Sequence, residues 1–317
     1  MLPDTAFLTD WGSASIRLAT PLILAVVGGV FSERSGVFNI GIEGMMLVGA
    51  FTAVATSYYL GPVADPLAVA AASAVAAMLA GAGLALLHAF LTVTRGVDQI
   101  ITGFAINILA LGLTNTLFRA IWGETGRERV TGFPEVRIPV LADIPVLGPI
   151  LFDHSLIVFI AYVVPIVAAF VLFRTTWGLT VRAAGDFPMA VDTAGLSVTR
   201  ARYAAVLFSG AMAGLAGAAL ALSAVRYFTP GMTAGRGFIV LGAIVVGRWH
   251  PALAGAACLL FGAADAFQLR VQALNLGIPY QFFVMLPYLL AVAAVAGAIG
   301  RTTPPQELGR PYRREAA

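Results

Sequence analysis

Arg182-Ala-Ala-Gly-Asp186-Phe-Pro188-Met-Ala-Val-Asp192-Thr-Ala-Gly195-Leu-Ser197 is a polar island in a chain dominated by alanine and valine. Apolar runs on either side, Ser155–Phe173 and Tyr203–Val225, are long enough to cross a bilayer, which takes about 20 residues at 1.5 Å rise each. A loop that only joins two membrane helices needs a few polar residues. The connection Arg174–Arg202 is far longer and carries helix signals of its own. Asp186 stands where a capping carboxylate would, Pro188 suits the first helical position, and Gly195 suits a stop. The spacing predicts a helix of about two turns, with Phe187, Val191 and Ala194 near one face and Asp192 on another. A helix that short is unstable alone in water. It must lie on its own membrane domain or insert into a partner.

Composition sets the surroundings of the island. The chain has 317 residues, 59% hydrophobic and 11% charged, with mean hydropathy +0.90. A soluble domain carries about 25% charged residues, so the sequence reads as an all-α, polytopic membrane bundle. Met1–Ile16 holds Asp4 and Asp10 and no basic residue, unlike a secretory signal, so Leu18–Phe31 reads as a retained membrane helix. The expected spans are Ile16–Phe31, Ile40–Leu60, Leu67–Thr94, Gln99–Trp122, Ser155–Phe173, Tyr203–Val225, Ala252–Leu269 and Tyr280–Ile299. Phe238–Val246 is too short for a comfortable span and reads as a half-helix or re-entrant segment, tolerable only where protein covers it. This gives about 8–9 crossings of one domain, residues 1–317, with no soluble module.

All nineteen basic side chains are arginine and none is lysine. A phosphate-binding loop GxxxxGK[ST] needs its lysine to reach the β/γ-phosphates, so this chain cannot hold that ATPase site. A lysine Schiff base is excluded equally. The lone Cys258 lies in an apolar run, which rules out an internal disulfide. Three scattered histidines suggest no metal site. The net charge of +3 is spread over loops, as membrane orientation requires, and is no sign of nucleic-acid binding.

Arginine placement assigns Ser32–Phe38, Arg95–Asp98, Arg174–Arg202, Arg248–His250 and the tail Arg301–Ala317 to the cytoplasm. If Phe238–Val246 crosses, there are nine spans and the N-terminus faces outward. Gly123–His154 then lies outside. Its prolines, Pro134, Pro139, Pro145 and Pro149, oppose helix, and its near-neutral charge fits a structured cap or a surface for an extracytoplasmic partner. Small-residue runs such as Ala80-Gly-Ala-Gly83 and Gly210-Ala-Met-Ala-Gly-Leu-Ala-Gly217 read as close helix packing.

The island resembles the coupling loop of ATP-binding-cassette (ABC) importer permeases, in the form R-A-x-G-x-x-P-x-A-x-x-x-G. Arg182, Ala183, Gly185, Pro188, Ala190 and Gly195 match it position by position. Three further blocks are similar to the simple-sugar and nucleoside subfamily of the branched-chain amino acid/ribose-type permeases. They are Ser32-Glu33-Arg34-Ser-Gly36-Val-Phe-Asn39-Ile-Gly41-Ile-Glu43-Gly44, then Val130-Thr-Gly132-Phe133-Pro134 with Asp143-Ile-Pro145-Val-Leu-Gly148-Pro149, then Gly235-Arg-Gly237-Phe238-Ile239 with Gly247-Arg248-Trp249-His250-Pro251. The chain departs from the family in having His250 for a usual Asn and Phe187-Pro-Met for a usual Asn-Pro-Glu. The resemblance implies a transport subunit without cofactor of its own, in the bacterial inner membrane. Its implied partners are cytoplasmic ATPases that carry the ATP, a longer paralogous permease as heterodimer partner, and an outside-facing substrate-binding lipoprotein. Arg182, Ala183, Gly185, Asp186, Pro188, Ala190, Asp192 and Gly195 would couple it to the ATPase.

Polar residues inside spans mark candidate pathway positions. Asn39 and Glu43 are four apart, which on one helix would give them a common face. They would line a path or hold a broken helix; alternatively Glu43 pairs with Arg34 or caps backbone. Asn107 and Thr114 could meet the hydroxyls or ring nitrogens of a sugar or nucleoside, or bond between helices. His88 reads as a hydrogen-bonded core residue, and Asp265 with Arg270 as a structural ion pair. Trp11, Tyr58, Tyr59, Trp122, Trp177, Tyr227 and Trp249 read as interfacial belts. Other readings are a permease for branched-chain amino acids, an ion-coupled secondary transporter, which would need more midplane carboxylates than Glu43, and a membrane enzyme, for which no acid, base and nucleophile converge.

Overall fold

The computed structural model describes residues 5–124, 129–273, 280–298 and 303–312. Asp4, Ile299, Arg301 and parts of the 123–154 connection and of the tail lie outside them. Among the described residues six helical stretches are long and apolar enough to cross a membrane: Thr5–Arg34, Pro66–Thr94, Gln99–Trp122, Leu156–Arg174, Val198–Ser223 and Pro251–Gln272.

In chain order the helices are α1 (Thr5–Arg34), α2 (Ile42–Leu60), α3 (Pro66–Ala89), α4 (Gln99–Trp122), α5 (Leu147–Leu151), α6 (Leu156–Arg174), α7 (Thr176–Asp186), α8 (Pro188–Thr193), α9 (Val198–Ala219), α10 (Arg236–Val246), α11 (Pro251–Ala273), α12 (Tyr280–Val284) and α13 (Leu286–Ala298). π-Turns extend α3 through Phe90–Thr94 and α9 through Leu220–Val225. The only strands among the described residues, β1 (Glu135–Arg137) and β2 (Asp153–Ser155), pair antiparallel.

α1, α2 and α9 form the centre. The most apolar stretches of α1 and α9 are 83% buried, against 28% for α3 and α4, which lie at the periphery. α2 is diluted by Glu43, Gly44, Ser57 and Tyr58 and is not among the six apolar stretches. Its neighbours α3, α4 and α9 surround it, so it needs no continuous apolar coat. The small-residue runs do the packing expected of them. A Cβ on Gly217 would overlap the Met46 carbonyl oxygen, and one on Gly214 the Ala77 carbonyl oxygen. α9 therefore meets the backbones of α2 and α3 directly, whereas Gly83 faces open space.

Several expected boundaries shift. α1 begins eleven residues before the predicted Ile16, and Pro21 sits inside it. α2 starts at Ile42, so Asn39 is outside the helix and shares no helix face with Glu43. The expected span Tyr280–Ile299 is broken at Met285 into α12 and α13, just before Pro287. Pro287 lacks the N–H that would continue the ladder. Phe238–Val246 becomes the 11-residue α10, about 16 Å long. The described residues of the 123–154 connection hold the β-ribbon and α5 despite the prolines there. Asp265 and Arg270 do not pair: Asp265 takes Arg236 (3.3 Å) and Arg270 takes Asp10 (3.2 Å). A separation of five residues turns their side chains to different sides of a helix.

Candidate functional site

Between α1 and α2 the chain leaves helix over Ser35–Gly41, and side chains from three helices, α1, α3 and α4, bond to its backbone. Ser32 Oγ donates to Val37 O (2.8 Å). Phe38 N donates to Gln99 Oε1 (2.6 Å), and His88 Nε2 lies 3.2 Å from Phe38 O. Asn107 Nδ2 donates to Ile40 O (3.1 Å) while its Oδ1 accepts from Gly44 N (2.8 Å). Asn39, fully buried, donates to Ser209 Oγ (3.2 Å). Buried backbone outside helix survives only where such partners replace helical hydrogen bonds.

α10 is held at both ends by residues flanking this stretch. At its start, Glu43 Oε1 accepts from Gly235 N (2.8 Å) and Oε2 from Gly237 N (2.6 Å). A carboxylate there answers both the orphan N–H groups and the positive end of the helix dipole. Gly237 allows this approach: a Cβ would stand 2.6 Å from Glu43 Cα. Past its end, Trp249 Nε1 donates to Glu33 Oε2 (2.6 Å), and Arg34 Nε donates to Trp249 O (3.0 Å). The first and third blocks read in the sequence are thus one unit. Trp249 is 4% exposed and so belongs to this joint and not to an interfacial belt. His250 stacks on Phe173 with centroids 4.9 Å apart. Its burial, and then the charge of Arg34, hold its pKa below the usual histidine value.

The island gathers on the α1–α2 turn. α7 is an amphipathic helix with buried Val181, Ala184 and Gly185. A Cβ on Gly185 would overlap Arg34 O, with Gly36 N 2.9 Å away, so the helix lies flat on that turn. Arg182 Nε donates to Leu172 O (3.1 Å), its guanidinium over the Phe173 ring. Asp186 is the last residue of α7 and not a cap. Its Oδ1 accepts from Gln306 N (3.3 Å), and Phe187 precedes α8 with no side-chain cap. α8 is six residues long with Pro188 first; Gly195 (φ +78°) ends the island as expected. Val191 is buried with Ala184, Val198 and Ala201, whereas Phe187 and Met189 are each 60% exposed and Ala190, Thr193 and Ala194 are also exposed. The face predicted from Phe187, Val191 and Ala194 therefore divides, because Phe187 precedes the helix. Asp192 accepts from Tyr312 OH (3.2 Å).

The five arginine-bearing segments assigned to one side do meet at one end of the bundle. Arg34 reaches the 248–249 turn, Gly185 lies on Arg34–Gly36, Thr94 Oγ1 bonds Tyr203 OH (2.5 Å), and Glu307 N donates to Gly185 O (2.9 Å). The opposite end is built from the 129–155 cap, where Ser57 Oγ donates to Thr131 O (2.7 Å) and Ser155 Oγ lies 2.7 Å from Ser223 Oγ. His154, in the cap, has its pKa lowered by burial, against a hydrogen bond to Ile150 O.

Of the four pathway candidates, Asn39, Glu43 and Asn107 come together around the unwound stretch. Thr114 does not: its hydroxyl donates to Ala110 O (2.8 Å) on its own helix. Two parts of the assembly were missed. Arg202, 1% exposed, donates to Ala184 O and Arg310 O; an arginine one helical turn after the Ser197 cap was the available signal. The tail contacts of Gln306, Glu307 and Tyr312 had no local signal.

A helical bundle in which six helices, among the described residues, are long and apolar enough to cross a bilayer is a polytopic membrane protein. The chain belongs to the family described as branched-chain amino acid transport system / permease component, which matches residues 13–295. With that family, the apolar spans make it an integral protein of the plasma (inner) membrane. It is 42% identical to the guanosine ABC transporter permease protein NupQ of Bacillus subtilis, over 94% of this chain and 95% of that protein. It is 35% identical to the putative glucose ABC transporter permease protein TsgC13 of Haloferax volcanii (96% and 97% covered). It is also 35% identical to the nucleoside ABC transporter permease protein NupC of Lactococcus lactis (93% of each covered). No solved structure matches the chain.

Proposed function

We propose that this chain is the permease subunit of an ABC importer for nucleosides, driven through α8 by a separate ATPase subunit. The observation that carries the coupling role is the island's two-sidedness. Gly185 is pressed onto the α1–α2 turn while Phe187 and Met189 point outward beside it. A partner that moves α8 thereby pushes on Arg34–Gly36, and from there on the unwound stretch and α10. ATP stays on the partner, since the chain has no lysine for a phosphate-binding loop. Alternating access follows if α10, clamped between Glu43 and Glu33, moves with α1 and α2.

The island end is cytoplasmic on this reading. The chain from Tyr227 through α10 completes a crossing from the cap side, giving nine crossings, an outward N-terminus and an inward tail. The cap receives the substrate-binding lipoprotein. The exposed apolar side of α4, with Ile101 and Ile108 about 70% exposed, faces lipid or a paralogous permease, so that two different permeases form the pore. Nucleosides are favoured because two of the three relatives named above carry guanosine or nucleoside in their names; simple sugars are the second reading, from the third.

The test is the complex with its ATPase in proteoliposomes. Ala190→Glu puts a charge on the exposed face of α8 without touching the core. It should abolish ATP-driven uptake and weaken ATPase binding; unchanged uptake would refute the coupling role. Competition of labelled guanosine uptake by unlabelled nucleosides and by glucose decides the substrate class.

A further inference from the structure

The tail segment Thr303–Tyr312 bonds to four parts of the chain that are remote from it in sequence. Gly309 N donates to Gly36 O (3.1 Å), on the turn between α1 and α2. Glu307 N donates to Gly185 O, and Gln306 N to Asp186 Oδ1, both at the end of α7. Arg310 O accepts from the buried Arg202 of α9 (2.9 Å), whose other nitrogen reaches Ala184 O (3.3 Å). Tyr312 OH donates to Asp192 on α8 (3.2 Å). Among the described residues Arg202 forms no ion pair, so carbonyls of the tail and of α7 solvate its buried charge. Two clefts, about 790 and 720 Å³, flank α8, and Tyr312 borders both.

α8 needs such a tie. It has six residues and buries only Val191, and a helix of that length has little rigidity of its own. Pushed from outside, it could shift alone and leave α1 and α2 at rest.

We propose that Gln306–Tyr312 is a locking strap. It joins α7–α8 to the α1–α2 turn and to α9, so that displacement of α8 reaches the unwound stretch and α10 and is not absorbed at the island. This rests on the reading that an ATPase drives α8. Arg202 and Tyr312 are positioning residues in the strap.

The experiment compares the full-length complex with one whose permease ends at Pro305, in proteoliposomes, measuring bound ATPase, ATP hydrolysis and uptake. The truncated complex should assemble and hydrolyse ATP, with uptake per ATP reduced about tenfold, within the range of a coupling free energy. Tyr312→Phe, which removes the hydroxyl bonded to Asp192 and keeps the ring, should lower the same ratio about two- to threefold on that scale, and it decides the matter if the truncated chain does not accumulate. An unchanged ratio would overturn the proposal. So would loss of ATPase binding on truncation, which would make the tail a docking element. Ala190→Glu in the full chain is the separate control: if it leaves ATPase binding intact, the α8 reading fails whatever the tail does.

Discussion

Glu43 uses its two oxygens for Gly235 N and Gly237 N, and Asn107 uses its two amide atoms for Ile40 O and Gly44 N. Each side chain replaces two backbone partners, so conservative changes should be costly. Asn107→Ala leaves a buried carbonyl and N–H without partners, at about 1–3 kcal/mol each. Thermal unfolding in detergent should show a clear drop, whereas Thr114→Val, which deletes only a bond to its own helix, should show a small one; equal effects would contradict the clamp. Glu43→Gln turns one acceptor into a donor facing an N–H, and should destabilise more than Glu43→Asp. His250 makes a pH prediction. Its folded pKa lies below the unfolded value of 6.5, so the unfolded chain takes up the proton first. Stability is then full above about pH 6.5 and falls as pH drops toward the folded pKa. His250→Asn should flatten the unfolding temperature between pH 7 and 5; the same slope in both proteins would contradict it. The sequence picked out Glu43, Asn39 and Asn107 by their polarity inside apolar runs. Holding a broken helix and capping backbone were among the readings open for Asn39 and Glu43; the common helix face expected of that pair failed, because the chain unwinds before Ile42.

Helices α2, α3 and α9 pack through backbone contact. Gly217→Ala places a methyl group where the Met46 carbonyl stands, and Gly214→Ala does the same at Ala77. Overpacking of this kind costs about 1–3 kcal/mol, and each variant should lower the yield of folded protein and its unfolding temperature. Gly83→Ala, with nothing within 4 Å of the added carbon, should be neutral or stabilising through helix propensity. If all three behave alike, the close contact is not what holds the helices. Six of the eight expected spans correspond to long apolar helices among the described residues, because an apolar run of about 20 residues is a strong signal. Helix ends were less so: the long N-terminal part of α1 is kept by Trp11 Nε1 donating to Ala263 O and by Arg270 on Asp10, partners more than 250 residues away. The island's start at Pro188 and its stop at Gly195 were legible, but its cap was not, since Asp186 turned to the tail.

At the scale of the whole molecule, the island end and the cap end are joined by α1 and α9. Arginine placement read one end correctly as a single group of loops, since charge is a local property of sequence; the strap over α8 depends on a fold that returns Gly309 and Arg310 to Gly36 and Arg202. The nine-crossing reading puts Val63, 79% exposed, outside and Leu196, 50% exposed, inside. A cysteine at position 63 should react with an impermeant maleimide on intact cells, and one at position 196 only after permeabilisation; the reverse pattern would invert the assignment. Because the native Cys258 is fully buried, introduced thiols give clean labels. The most direct measurement is therefore cross-linking from Met189→Cys to the ATPase subunit in the assembled complex, with Thr131→Cys in the cap as reference. Contact at α8 predicts a cross-link from position 189 and none from position 131; no product from position 189, or equal products from both, would contradict it.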